Sequence, residues 1–310
     1  MPSTLKRLEF HISYACPNNC LFCSERAQLN KFSEQFIEQE EIKQKLKQFS
    51  KNGFNHVSFT GGEPSLHPQF ISLADFSKRL GYRTYVTTNG GLFRNKIFCR
   101  QASRYLDEIC FSVHGHTPEL HNFHTRNRDS FRRLKRGIEN IESSPYNILG
   151  FANIVVTRHN FASLERIISF IGNYNKIKQV LISNFAPEGQ GLYNFRDLVV
   201  PLGKFRRTIP QLVDASLKRK ISPRFFGLPL CILKGYEDFS NDLHWSPRVT
   251  LERCRSKKRI CLKKTLSYKP VRGRLKTVDC KYCQRKSVCG GLFGVYYKEF
   301  GAGELSPLNG

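Results

Sequence analysis

The sequence predicts an α/β protein: a partial (β/α)6 barrel of parallel strands with a small, Cys-rich, irregular C-terminal extension. Three observations carry this. Up to about residue 185, short β-branched and aromatic runs alternate with polar stretches whose apolar residues recur at helical spacing, as in βα units around a parallel sheet. About six such units fit, which suits an open barrel better than a closed eightfold one. From about residue 186 the periodicity fails, and after residue 222 the chain is rich in Pro, Gly, Arg and Lys and holds six cysteines.

In order, Leu8-Glu9-Phe10-His11-Ile12-Ser13-Tyr14 alternates as a strand. Residues 39–51 are polar with Ile42, Leu46 and Phe49 on one helical face. A strand over 55–60, a helix over 70–80 and a strand over 83–87 follow. Strands over 108–113, 148–156 and 178–183 complete the set, with helices over 130–142 and 161–172 between them. Ala186-Pro187-Glu188-Gly189-Gln190-Gly191 breaks the pattern. One more helix is expected over 205–220. We therefore expect a core over 1–190, then a linker helix and Cys-rich domain over 191–310.

The chemistry starts at Cys16, Cys20 and Cys23, spaced C-x3-C-x2-C. An iron–sulfur cube is normally held by four thiolates. A triad leaves one iron open to another ligand. Zinc is the alternative, but the segment just after Cys23 lacks the second ligand pair that zinc motifs usually supply. In Val57-Ser58-Phe59-Thr60-Gly61-Gly62-Glu63-Pro64 a strand breaks at a Gly pair. Gly61 and Gly62 let backbone approach a ligand closely, and a carboxylate such as Glu63 can grip an ammonium. Both motifs fall at C-terminal strand ends, where parallel barrels gather their functional residues.

Together these motifs resemble the radical S-adenosylmethionine (SAM) superfamily. Thr87-Thr88-Asn89-Gly90, Phe111-Ser112-Val113-His114-Gly115, Asn153-Ile154-Val155-Val156-Thr157-Arg158 and Val180-Leu181-Ile182-Ser183 resemble its third to sixth strand ends, so the likeness covers roughly residues 5–190. It implies that Cys16, Cys20 and Cys23 ligate a [4Fe–4S] cluster whose open iron takes the amino and carboxylate groups of SAM. One electron, from a donor such as a flavodoxin or ferredoxin, then cleaves SAM to methionine and a 5′-deoxyadenosyl radical, which takes a hydrogen atom from the substrate. The resemblance also implies Phe22 near the adenine, the Gly61-Gly62-Glu63-Pro64 loop with Glu63 on the SAM ammonium, and Ser112, Asn153 and Arg158 on ribose and carboxylate.

Cys280, Cys283 and Cys289 form C-x2-C-x5-C, with Cys231 upstream. Four thiolates complete a closed cluster, and zinc in the same four is the alternative. The arrangement resembles the SPASM/Twitch extensions of radical SAM enzymes, which hold auxiliary [4Fe–4S] clusters. It departs from the full SPASM pattern because no Cys follows Cys289, so one auxiliary cluster is expected. Cys254 and Cys261 could replace Cys231 as ligand, stay free, or belong to a partial second cluster. Cys99 and Cys110 lack cluster spacing and read as buried hydrophobes. His114, His116, His121 and His124 crowd the fourth strand end, which explains them without metal; His114 is placed towards the substrate cavity.

Lys and Arg outnumber Asp and Glu by 50 to 25, a net charge of +25. Residues 201–290 alone carry 23 basic against 6 acidic residues. Such a field draws acidic peptides, nucleic acid or small anions, and 253–264 is its densest run. No apolar run approaches the roughly 18–20 residues of a membrane span, and the N-terminus lacks a signal peptide's apolar stretch. Eleven cysteines without an export signal argue for metal and a cytoplasmic setting. The expected function is radical modification of a peptide or protein side chain, as by a peptide maturase. RNA or a small anionic metabolite is the alternative substrate. A non-catalytic, metal-stapled nucleic-acid-binding protein is the alternative of another class.

Overall fold

The computed structural model describes residues 6–33, 36–256 and 259–308. In chain order the elements are β1 Arg7–Ser13, α1 Arg26–Phe32, α2 Gln39–Lys51, β2 His56–Gly61, α3 Phe70–Arg79, β3 Arg83–Thr88, α4 Lys96–Ser103 and β4 Glu108–Ser112. Next come α5 Pro118–Thr125, α6 Ser130–Glu142, β5 Leu149–Val156, α7 Leu164–Ile171, β6 Ile177–Asn184, α8 Gln190–Tyr193, α9 Phe195–Leu198 and α10 Leu202–Leu217. The remainder is β7 Ser222–Phe226, β8 Arg248–Ser256, β9 Arg259–Ser267, β10 Arg274–Leu275, β11 Leu292–Phe293 and α11 Gly294–Phe300.

One nine-stranded sheet runs β7-β6-β5-β4-β3-β2-β1-β8-β9. Every neighbouring pair from β7 to β8 is parallel, and only β9 is antiparallel to its neighbour. All strands from β1 to β8 therefore point their C-terminal ends the same way. Helices supply the outer layer. Helix α6 shows why: Phe131, Leu134, Ile138 and Ile141 recur at helical spacing and are buried, each burial worth about 1.5–3 kcal/mol. On the strands, Phe10, Phe59, Ile109 and Ile154 are fully buried.

Strand β7, from beyond residue 190, joins the same sheet as β6, so the expected boundary falls between two neighbouring strands. The tail is also more regular than its composition implies. Its basic run lies in the β8–β9 hairpin, which docks on β1, with Arg7 opposite Arg248 and Phe10 opposite Leu251; residues 257–258 fall outside the described residues. Val249 and Leu251 are the buried anchors of that hairpin. The second half of the tail folds back on α10. Glu304 accepts from the backbone N–H groups of Leu202 (3.0 Å) and Gly203 (2.8 Å). These belong to a helix start whose first N–H groups have no intrahelical acceptors; Tyr296 Oη also accepts from Leu202 N–H (2.9 Å), and α10 has no side-chain cap at its N-cap residue.

Candidate active site

A cavity of about 340 Å³ opens at the C-terminal strand ends. One wall is the loop after β1, with Cys16, Cys20, Cys23 and Phe22. The ends of β2 to β6 supply most of the rest of its lining, including Gly61, Gly62, Ser112 and Asn153, and Thr125 at the end of α5 adds to it. The structure thus brings together all three N-terminal cysteines and most of the expected SAM-contacting residues.

Other segments hold the cysteine loop in shape. The N–H groups of Asn19 and Leu21 donate to the carbonyls of Thr125 (2.8 Å) and His124 (3.0 Å) at the end of α5. Asn194 donates to the Leu21 carbonyl at 2.8 Å, and Gln190 N–H to the Cys23 carbonyl at 2.9 Å. Gly189 sits at φ +52°, where a Cβ would stand 2.4 Å from the Ser24 carbonyl oxygen. From the other side, Gly62 N–H donates to the Ser13 carbonyl (2.7 Å) and Glu63 N–H to that of Ala15 (2.8 Å). Burial pushes the Cys16 thiol up to about 12 and those of Cys20 and Cys23 upward as well. Three half-buried thiols that resist ionisation alone, gathered on one cavity wall, fit a metal cluster, because bound iron takes the place of the protons.

Three expected residues, Glu63, Pro64 and Arg158, fall elsewhere. The Glu63 carboxylate does not line the cavity; it is 1% exposed. Its Oε1 accepts from Ser65 N–H (3.2 Å), Ser65 Oγ (2.6 Å) and Thr88 Oγ1 (2.8 Å), and its Oε2 from Asn89 N–H (2.7 Å). Burial holds its pKa above the ordinary value against these bonds. Glu63 braces the ends of β2 and β3, and Pro64 opens the buried turn behind it. Arg158 is also displaced from its expected role: it donates through Nη2 to the Arg196 carbonyl (2.7 Å) and through its backbone N–H to that of Leu198 (2.8 Å).

The remaining residues are oriented for donation. The Asn153 Oδ1 accepts from Ser183 Oγ at 2.8 Å, which leaves the Asn153 amide nitrogen as the free donor. His114 Nδ1 accepts from Val155 N–H at 3.3 Å, so a neutral ring carries its proton on Nε2. Burial lowers the His114 pKa strongly, aided by His121 and His124. Phe22 meets the His114 ring edge-on, with centroids 4.7 Å apart. His124 is structural, bridging the Leu120 carbonyl and Thr157 Oγ1, each at 2.7 Å. Sequence reasoning passed over Asn89 and Phe226, which also line the cavity; Asn89 stood in the third strand-end motif and was legible there, whereas Phe226 ends a strand that was not anticipated.

Cys231, Cys280, Cys283 and Cys289 line a second, small cavity. Backbone N–H groups point at its sulfurs: Leu230 and Gly291 at Cys289 (3.5 and 3.4 Å) and Leu308 at Cys283 (3.4 Å). Hydrogen bonds onto sulfur suit thiolate ligands of an iron–sulfur cluster, so these four residues fit the auxiliary group. Arg274 links the two regions. It pairs with Asp242 at 2.5 Å and lies between the rings of Phe226, on the wall of the first cavity, and Phe293. Cys254 and Cys261 lie apart from this set, opposite each other on the β8–β9 hairpin.

A parallel sheet with three cysteines in the loop after its first strand, facing a glycine loop after its second, defines a class. The radical SAM superfamily model matches residues 10–171, and the chain belongs to that superfamily. It is similar to the mycofactocin maturase MftC of Mycobacterium ulcerans, 25% identical over 188 residues, covering 59% of this chain and 48% of that protein. It is also similar to a probable GTP 3′,8-cyclase of Saccharolobus islandicus, 26% identical over 226 residues, covering 72% and 69%. The chain spans about half the length of the mycofactocin maturases it matches. Among solved structures, Streptococcus suis SuiB bound to precursor peptide SuiA superposes with a TM-score of 0.60 at 17% identity, covering 80% of this chain and 58% of that one. The protein anSMEcpe with bound AdoMet and Cp18Cys peptide gives 0.55 at 20%, covering 71% and 63%. Among the described residues, no helix is long and apolar enough to cross a membrane.

Proposed function

We propose that the protein is a radical SAM enzyme that modifies a peptide or protein side chain, beginning with abstraction of a hydrogen atom. The observation that carries this is the single cavity in which Cys16, Cys20 and Cys23 face the Gly61-Gly62 loop and the strand-end donors. Cys16, Cys20 and Cys23 would hold a [4Fe–4S] cluster, which would supply the electron for reductive cleavage of SAM. The chain does the positioning. Gly61 and Gly62 offer backbone to the amino-acid end of SAM, with Glu63 bracing them from behind. Phe22 supplies an aromatic wall for the adenine. Ser112 and Asn153 supply polar contacts to ribose or carboxylate, and neutral His114 keeps an N–H donor without adding charge.

The names of the relatives support a peptide substrate: one is a maturase, and two of the superposed structures hold peptides. Cys231, Cys280, Cys283 and Cys289 would hold the auxiliary cluster. We place the enzyme in the cytoplasm with a flavodoxin or ferredoxin as donor, acidic carriers suited to a surface of charge +25. The domain reading keeps a core over 1–190 and an auxiliary-cluster region over 191–310 that lends β7 and the hairpin to the core sheet. A small anionic metabolite is the second reading, favoured by the likeness to a nucleotide cyclase. The test is isotope transfer. Cluster-loaded enzyme is incubated with SAM, a reductant and deuterated candidate peptides, and 5′-deoxyadenosine is weighed. Deuterium gained from a peptide establishes the class; deuterium gained only from a nucleotide triphosphate replaces it with the second reading.

A further inference from the structure

Beside the cysteine loop lies a group of side chains that the proposed chemistry does not use. His11 stands on β1, Glu25 leads into α1, and Glu252 stands on β8. One ligand atom from each lies within 4.8 Å of the others. His11 is 6% exposed. Its Nδ1 faces Glu25 Oε2 at 3.4 Å, yet both atoms are buried and neither makes a hydrogen bond. Glu9, 3.6 Å from the other ring nitrogen, already meets Arg248 at 3.2 Å. Among the described residues, Glu252 pairs with Lys263, an exposed side chain at 3.8 Å.

We propose that His11, Glu25 and Glu252 bind a divalent first-row metal ion of the manganese or iron class at the wall of the active-site cavity. Arg248 already engages Glu9, whereas Glu25 and Glu252 set two further carboxylates beside the His11 ring, a donor set that a divalent cation would fit in place of a proton on His11 once Lys263 swings to solvent. Metal–ligand bonds of about 2.0–2.2 Å place opposed donors about 4 Å apart, so the group needs only small rotamer adjustments. Imidazole with carboxylates suits manganese, iron or zinc better than softer ions. Three protein ligands leave positions for water or substrate, and Glu25 lines the main cavity. The substrate group such an ion would take is a carboxylate, as from an acidic peptide; that role rests on the proposed function, whereas the site itself does not. The tail hairpin completes the site, because only β8, paired to β1 with Phe10 opposite Leu251, brings Glu252 beside His11.

The test is a titration of cluster-loaded, chelator-washed enzyme with manganese alone, read by loss of the free-ion electron paramagnetic resonance signal. One site per chain is expected, with an imidazole nitrogen coupling in the pulsed spectrum. Glu25→Gln and Glu252→Gln should each weaken it by at least about tenfold. No binding, binding without nitrogen coupling, or affinity unchanged in both variants overturns the proposal. If a variant fails to load its clusters, the nitrogen coupling of the unaltered enzyme decides. SAM cleavage is measured separately, so an enzyme that cleaves SAM but holds no manganese overturns this site alone, and the converse overturns the function alone.

Discussion

At Gly61 the backbone turns at φ +117°, and a Cβ would stand 2.3 Å from the Ser13 carbonyl oxygen. That oxygen belongs to the strand feeding the cysteine loop, so Gly61→Ala must push β1 and β2 apart at the site. We expect a loss of about 2–4 kcal/mol and reduced iron at the N-terminal cluster, read by denaturant unfolding and iron analysis. Glu108 tests a different kind of residue. It is buried, meets His56 and Arg83 at 2.9 Å each, and has a lowered pKa: burial opposes ionisation, but the bonds to His56 and Arg83 outweigh it. Its contribution is therefore present above the unfolded carboxylate pKa of about 4.3 and lost as pH falls through the lower folded value. Glu108→Gln should cost about 1–3 kcal/mol at neutral pH, shrinking towards the acid limit. The same contrast explains which site residues were legible. Cys16, Cys20, Cys23 and the glycines carry their chemistry in residue type and spacing. Glu63 and Arg158 do not, because the direction of a long polar side chain is decided by partners such as Ser65, Thr88 and Arg196, far off in sequence or hidden by the turn.

At the scale of elements, apolar periodicity located the strands through β6 and the helices α2, α3, α6 and α7 closely, the helix over 39–51 coinciding with α2, but it passed over α1, α4 and α5. It failed where packing is one-sided or supplied from a distance. Strand β7 contains Pro223 and Arg224 and ends the sheet beside β6, with just an isolated bridge from Phe225 to Ser240 on its other side. Strand β9 is an edge, and its lysines blunt further pairing. Neither reads as a conventional strand. Helix α10 begins at Leu202, three residues ahead of its expected start, because Glu304 of the tail serves its first N–H groups. Glu304→Ala should therefore cost about 0.5–2 kcal/mol, as loss of a cap does, and loosen the tail from α10. Thermal melting of the cluster-loaded protein and limited proteolysis at the C-terminus check both effects.

For the whole molecule, the sheet sets one reactive end and the tail returns to it twice, through β8 at β1 and through Arg274 between Phe226 and Phe293. Two clusters in one chain predict about eight irons per protein after reconstitution. A Cys280→Ala/Cys283→Ala variant should fall to about four while keeping the signature of the SAM-bound cluster. Loss of every iron would instead make the tail a requirement for folding the core. The claim on which the account rests is SAM cleavage at the N-terminal triad. It is tested most directly by reducing the anaerobically reconstituted protein with dithionite, adding SAM and quantifying 5′-deoxyadenosine beside a Cys16→Ala/Cys20→Ala/Cys23→Ala control. The account predicts 5′-deoxyadenosine from the protein and none from the control. Zinc in place of iron at both cysteine sets, with no 5′-deoxyadenosine from either protein, would contradict it.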